Sequence, residues 1–254
     1  MLRPFCKLIT PHFRHGLLLV LAAAISFAAG FAALRIIAKP APPDLPHIVA
    51  QWTPRVVRIL CTTPAQYFTA SGVLTRLSLP DRNLVGVPAI ITNRHVIADP
   101  SNGAPYRNCV FQVTGTNDVY DLDMSRAIAS STADFAYLLA EPATSTPEGA
   151  KTGMRACPAR AASLGDRVLI LGYPTDGGTG QASTAITASE GIISSLDGPY
   201  YVTDAKIDGG NSGGAAILEK EDCYLGIPTG VQKGAFTSLA RILNASLFLA
   251  APRP

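Results

Sequence analysis

The 254-residue sequence predicts an all-β fold of two six-stranded antiparallel barrels, and three observations carry that expectation. Short runs rich in β-branched and aromatic residues recur between turn residues, the pattern of sandwiches and barrels. A Pro/Ser/Thr/Gly-rich stretch, EPATSTPEGAKTG at 141–153, divides those runs into two sets of about six. Charged residues make up 15% of the chain, below the roughly 25% usual for soluble domains, which excludes disorder and coiled coil.

The expected strands of the first set are VVRILC (56–61), YFTASGVLTR (67–76), PAIITN (88–93), CVFQVT (109–114), VYDLD (119–123) and DFAYLLA (134–140). The second set holds RVLILGY (167–173), STAITASEGIISS (183–195), YYVT (200–203), GAAILE (214–219) and CYLGIPTGV (223–231). The tail SLARILNASLFLA (238–250) reads as a helix, with Leu239, Ile242, Leu243 and Leu247 on one face. The expected organisation is barrel one at 47–140, a linker at 141–160, barrel two at 161–238 and a terminal helix at 238–250.

Residues 1–38 have a different character. Arg3, Lys7 and Arg14 precede an uncharged run of 19 residues, Gly16 to Leu34. At about 1.5 Å per residue that run just spans a hydrocarbon core of roughly 30 Å. It is read as a single-pass anchor, with a cleavable signal peptide as the alternative. Three cations before the run and two after it, Arg35 and Lys39, place the C-terminal bulk on the exported side. The following KPAPPDLP (39–46) reads as an extended Pro-rich spacer. The formal net charge of +3 is mild and lies partly in this segment, so no nucleic-acid footprint is implied.

Five cysteines, at 6, 61, 109, 157 and 223, are too widely spaced for a zinc knuckle or ribbon. In an oxidising compartment the last four can pair, and four cysteines allow three connectivities. Pairing within each half, Cys61–Cys109 and Cys157–Cys223, is favoured over the others, while buried free thiols are the competing reading.

Chemistry concentrates at DGGNSGGAAIL (208–218). Glycines around Ser212 allow a sharp turn and let successive N–H groups converge on one oxyanion. A bare G-x-S-x-G occurs often by chance, so the histidine supply matters. Apart from His47 beside the spacer, the predicted folded part holds one histidine, His95, at the end of an apolar strand. Serine needs an imidazole to accept its proton, and His95 alone is available. A carboxylate should hold the imidazole, with Asp99, Asp118, Asp121, Asp123 and Asp134 as candidates. Asp134 opens a largely apolar strand and is preferred over the others, which lie in more polar stretches. The order His95, Asp134, Ser212 is that of chymotrypsin; no histidine follows Ser212, so the α/β-hydrolase order cannot be completed.

These residues resemble the trypsin-fold serine proteases, and specifically the HtrA-like (Deg-type) branch. SGVLT (71–75), ITNRHVI (91–97), DFAYLLA (134–140), LGDRVLILGYP (164–174), ASEGIISSL (188–196) and TDAKIDGGNSGGAAIL (203–218) resemble that family's motifs in the family's order. The resemblance implies two six-stranded barrels with a triad in the cleft between them. It implies an oxyanion hole from the N–H groups of Gly210 and Ser212, with Asn211, and cleavage of polypeptides through an acyl-enzyme without metal or organic cofactor. No room is expected after the barrels for the PDZ domain of many relatives, and assembly into oligomers is left open. Asn211, where digestive relatives carry an Asp, implies a form that needs no proteolytic activation.

The resemblance also places Lys206 near the base of the primary specificity pocket. There it would either favour an acidic side chain or extend to solvent and leave a small apolar pocket. Ile227, Pro228, Thr229 and Gly230 would form the pocket wall and pair with substrate backbone as an added strand. The expected function is an exported, membrane-tethered serine endopeptidase. A catalytically silent binding module, or an esterase using the same triad, are the rival readings.

Overall fold

The computed structural model describes residues 44–62, 67–99, 102–106, 108–139, 149, 151–175, 184–231 and 239–249. All of them belong to one compact unit, Pro42–Pro254. The run expected to cross a membrane lies outside them; among the described residues no helix is long and apolar enough to do so.

The unit opens with helix α1 (Leu45–Trp52), capped by Asp44, whose carboxylate accepts the His47 N–H. Leu45 and Pro46, the last two residues of the expected spacer, therefore belong to α1, where Pro46 in the first turn needs no N–H partner; residues 39–43 lie outside the described residues. In the first half follow β1 (Val56–Thr62), β2 (Tyr67–Leu79), β3 (Leu84–Thr92), α2 (Arg94–Ile97), β4 (Asn108–Val113), β5 (Val119–Asp121), β6 (Ile128–Ala129) and β7 (Ala136–Leu139). In the second half are β8 (Arg167–Gly172), β9 (Thr187–Asp197), β10 (Tyr200–Thr203), β11 (Ala215–Leu218), β12 (Cys223–Val231) and β13 (Ala240–Asn244).

The second half closes as expected into a six-stranded barrel, in the order β10-β13-β12-β11-β8-β9. The first half corrects the expectation of a second six-stranded barrel: it is a seven-stranded sheet ordered β5-β4-β1-β2-β3-β7-β6. The extra strand is β6, whose two residues pair with Tyr137 and Ala136. A strand that short carries too few residues for a period of two to stand out.

The expected C-terminal helix is also corrected. Ala240–Asn244 is strand β13, paired with both β10 and β12, and a 3-10 turn follows at Ala245–Leu247. Ile242 and Leu243, placed on one helical face by the 3.6 period, instead point into different cores. Leu247, expected on that same face, is largely exposed. Barrel closure overrides the local helical pattern because β13 satisfies the edges of two strands at once.

Three apolar clusters follow from strand alternation. In β8, Val168 and Ile170 fill the barrel, while Leu169 and Leu171 turn outward into a core shared by both halves. In the first half Val57, Ile59, Leu74 and Ile90 pack inside the sheet, while Val56, Val73 and Ile91 join that shared core. Strands buried on both faces read as unbroken apolar runs, as β7 and β11 do. The shared core fixes one half against the other, and so fixes loops of the first half against loops of the second.

Both favoured cysteine pairs are disulfides. Cys61–Cys109 crosses directly opposed residues of β1 and β4, and Cys157–Cys223 ties the segment before β8 to the start of β12.

Candidate active site

The imidazole stands at the end of β3, where Asn93 turns the chain into the single turn α2 that carries His95. Asp134 lies just before β7, which pairs with β3 from Ala89 to Thr92. The strand pairing therefore brings the two residues together. Asp134 Oδ2 stands 2.7 Å from His95 Nδ1, and Asp134 Oδ1 accepts the His95 backbone N–H at 3.1 Å. This double attachment fixes both the position of the ring and the nitrogen that faces the acid.

Two further side chains hold the carboxylate. Thr229 Oγ1, on β12, donates to Asp134 Oδ2 at 2.7 Å. Asn93 Nδ2 lies 2.7 Å from Asp134 O, 3.3 Å from its Oδ2 and 2.8 Å from Thr229 Oγ1. Burial alone would raise the Asp134 pKa. The bonds and charge from His95, with the bond from Thr229, outweigh it and hold the carboxyl below its ordinary range. The acid is thus kept ionised in a site where its side chain is only 26% exposed.

Ser212 sits on the loop between β10 and β11. Its carbonyl accepts from Ser71 N of β2 at 2.9 Å, and the next N–H, of Gly213, donates to Pro228 O of β12 at 3.2 Å. The serine backbone is thereby held against both halves of the molecule. Glycines are required on either side: Gly210 and Gly213 each adopt φ +88°, and a Cβ there would overlap Tyr173 O or Ser71 O. No hydrogen bond joins Ser212 Oγ to His95 among the described residues. Such bonds commonly form only when substrate is bound.

Of the three residues expected to form the oxyanion hole, Asn211 does not offer its N–H, which donates to Asp208 O at 3.1 Å. The N–H groups of Gly210 and Ser212 have no protein partner among the described residues. Lys206 is exposed, in keeping with extension to solvent. Ile227 is fully buried in the shared core and Pro228 uses its carbonyl on Gly213, leaving Thr229 and Gly230 partly exposed.

Sequence reasoning missed Asn93 and Ser71 and gave Thr229 a pocket-wall role without its bond to Asp134. The available signal was a small polar residue inside an apolar run: Asn93 and Ser71 are fully buried in otherwise hydrophobic strand neighbourhoods. A polar group so placed must find a partner.

A closed β-barrel packed on a second β-sheet, with a His95–Asp134 pair at the end of β3, is the architecture of the trypsin-like class. The model of the trypsin-like peptidase domain matches residues 70–227, more than half of the chain, which therefore belongs to that family. Among solved structures, the serine endoprotease from Yersinia pestis is 25% identical with a TM-score of 0.58, over 81% of this chain and 64% of that one. The HtrA-type protease AlgW with a tripeptide is 18% identical with a TM-score of 0.61, over 81% of this chain and 61% of that one. The protease Rv3671c from M. tuberculosis, in its active form, is 21% identical with a TM-score of 0.56, over 85% and 93%. The chain thus spans about 61–64% of the first two structures. Comparison with curated proteins finds no match.

Proposed function

We propose that the chain is a serine endopeptidase in which Ser212 is the nucleophile, His95 the general base and acid, and Asp134 the carboxylate that holds His95. The observation that carries this reading is the 2.7 Å contact of Asp134 with His95 Nδ1 on a trypsin-like peptidase domain. With Nδ1 facing the acid, Nε2 is the nitrogen left to accept a proton.

In the proposed reaction the Ser212 Oγ–H proton passes to Nε2 as Oγ bonds to the substrate carbonyl carbon. The resulting oxyanion is received by the N–H groups of Gly210 and Ser212. The imidazolium then gives its proton to the departing amine as the C–N bond breaks, leaving an acyl-enzyme. Water repeats the sequence and releases the acid. The Thr229–Gly230 segment, beside the acid and partly exposed, is the backbone that substrate would extend as an added strand, with Lys206 near the specificity pocket and extended to solvent.

The proposed substrates are exported polypeptides, met by a domain held on the outer face of a membrane by residues 16–34. The two disulfides support an oxidising compartment. Labelling of the chain by a serine-directed fluorophosphonate tests the reading. Labelling abolished in both Ser212→Ala and His95→Ala is expected. Persistence in Ser212→Ala, or no labelling of the folded wild type either with or without an added activating peptide, overturns it.

A further inference from the structure

Two carbonyls of the loop before Ser212 are held by groups outside the triad, the Thr175 backbone N–H and two side-chain hydroxyls. Gly209 O accepts from Thr175 N at 2.6 Å and from Thr175 Oγ1 at 3.1 Å. Gly210 O accepts from Ser71 Oγ at 2.7 Å, and the same Oγ accepts the Tyr173 N–H at 2.8 Å. A serine hydroxyl has one proton, and with a lone pair engaged by Tyr173 that proton is directed to Gly210 O. Ser71 is fully buried, so water does not compete for it.

These bonds set the direction of the N–H groups that matter. In a trans peptide the N–H points opposite to the C=O. Fastening Gly209 O to Thr175 turns the Gly210 N–H the other way, and that N–H has no protein partner among the described residues. Fastening Gly210 O to Ser71 likewise turns the Asn211 N–H away, onto Asp208 O at 3.1 Å. Two consecutive glycines, 209 and 210, would otherwise rotate freely about their flanking bonds. A rotated Gly209–Gly210 peptide would break both bonds to Thr175 and present a carbonyl where the N–H now stands.

Resting on the serine-hydrolase reading above, we propose that Ser71 and Thr175 are positioning residues: Thr175 holds the Gly210 N–H ready for the oxyanion, and Ser71 locks the next peptide so that Gly210 cannot turn away. The hole is then assembled in the free chain and needs no activating ligand. Ser71 brings β2 of the first half onto the loop of the second, since its own N–H also binds Ser212 O at 2.9 Å. Loop and nucleophile are therefore set by one residue of the opposite sheet.

The test measures kcat and KM of the full chain on a peptide and on a short p-nitrophenyl ester, with the rate of fluorophosphonate labelling, for Ser71→Ala, Thr175→Val and Thr175→Ser. Misaligning a preorganised donor should lower kcat by about 10-fold in Thr175→Val and by up to about 100-fold in Ser71→Ala, with KM within about twofold. Labelling should slow in parallel, and Thr175→Ser, which keeps the hydroxyl, should restore the rate. If Ser71→Ala loses its near-UV circular dichroism, the two variants at the half-buried Thr175 decide alone. Wild-type kcat in Thr175→Val, a change confined to KM, or Thr175→Ser as impaired as Thr175→Val overturns the proposal. Labelling that appears only after an activating peptide is added overturns it while leaving the serine-hydrolase reading standing. A folded wild type that never labels overturns both.

Discussion

Thr229 Oγ1 donates to Asp134 Oδ2 at 2.7 Å, a bond from the closed barrel to the acid of the opposite sheet. It makes the ionisation of Asp134 depend on how the two halves meet, because one partner comes from β12 and the other from the edge of β7. Thr229→Val should remove a bond that lowers the Asp134 pKa, so that pKa rises. The titration midpoint of the Asp134 carboxyl is expected to move to higher pH, with Thr229→Ser restoring it. Carboxyl titration of the three proteins by NMR checks this.

Asp134→Asn should leave the fold intact and lower kcat by roughly 10⁴-fold, because an amide at that place favours the wrong imidazole tautomer. Stability carries a second signature. The folded carboxyl titrates below its unfolded value, so its stabilising contribution is present above the unfolded pKa of about 3.9 and is lost as pH falls through the lowered folded value. Thermal melts of wild type and Asp134→Asn across the acid range should therefore converge as pH falls.

Gly210→Ala places a Cβ against Tyr173 O on a residue at φ +88°. The left-handed backbone alone costs about 1–2 kcal/mol, and the loop must shift to relieve the overlap. Loss of more than about 100-fold in kcat is expected, with a modest fall in Tm, read by ester hydrolysis beside calorimetry.

The Cys157–Cys223 bridge joins residues 66 positions apart and anchors the start of the strand that carries Thr229. Cys157→Ser with Cys223→Ser should cost about 2–4 kcal/mol of stability. Denaturant titration measures the cost, and peptide mapping without reductant should recover Cys61 with Cys109 and Cys157 with Cys223.

Trp52 is the one tryptophan of the chain, and its Nε1 donates to Asp222 Oδ1 at 2.7 Å while its ring stacks on Tyr224 at 6.2 Å. Its emission should be blue-shifted in the native state and move to the red with α1 undocking. Trp52→Phe removes the bond to Asp222 and should lower stability by about 1–2 kcal/mol, as measured by urea unfolding.

Much of this was legible in the chain. Strand runs such as RVLILGY show themselves because β8 is buried on both faces, and the scarcity of histidine singled out His95 as the proposed base for Ser212. The preference for Asp134 came from its place at the head of an apolar strand, and in the fold that strand lies beside the one leading to His95. Where the reading departed, the missing term was non-local. The tail at 238–250 carries a helical period, yet β10 and β12 both present open edges to Ala240–Asn244, and their hydrogen bonds decide its state.

By itself, then, the sequence determined the β class, the division into two halves, the favoured cysteine pairs and the residues to examine for chemistry. These depend on residue type and local periodicity, which a linear chain displays. Only the tertiary structure decided the seven-strand sheet, the strand in place of a terminal helix, and the bonds from Thr229 and Asn93 to Asp134. It also decided which N–H groups around Ser212 remain unengaged. A hydrogen bond depends on direction as well as composition, and the directions of Gly209, Gly210 and Asn211 are set by Ser71 and Thr175, which approach from distant parts of the chain.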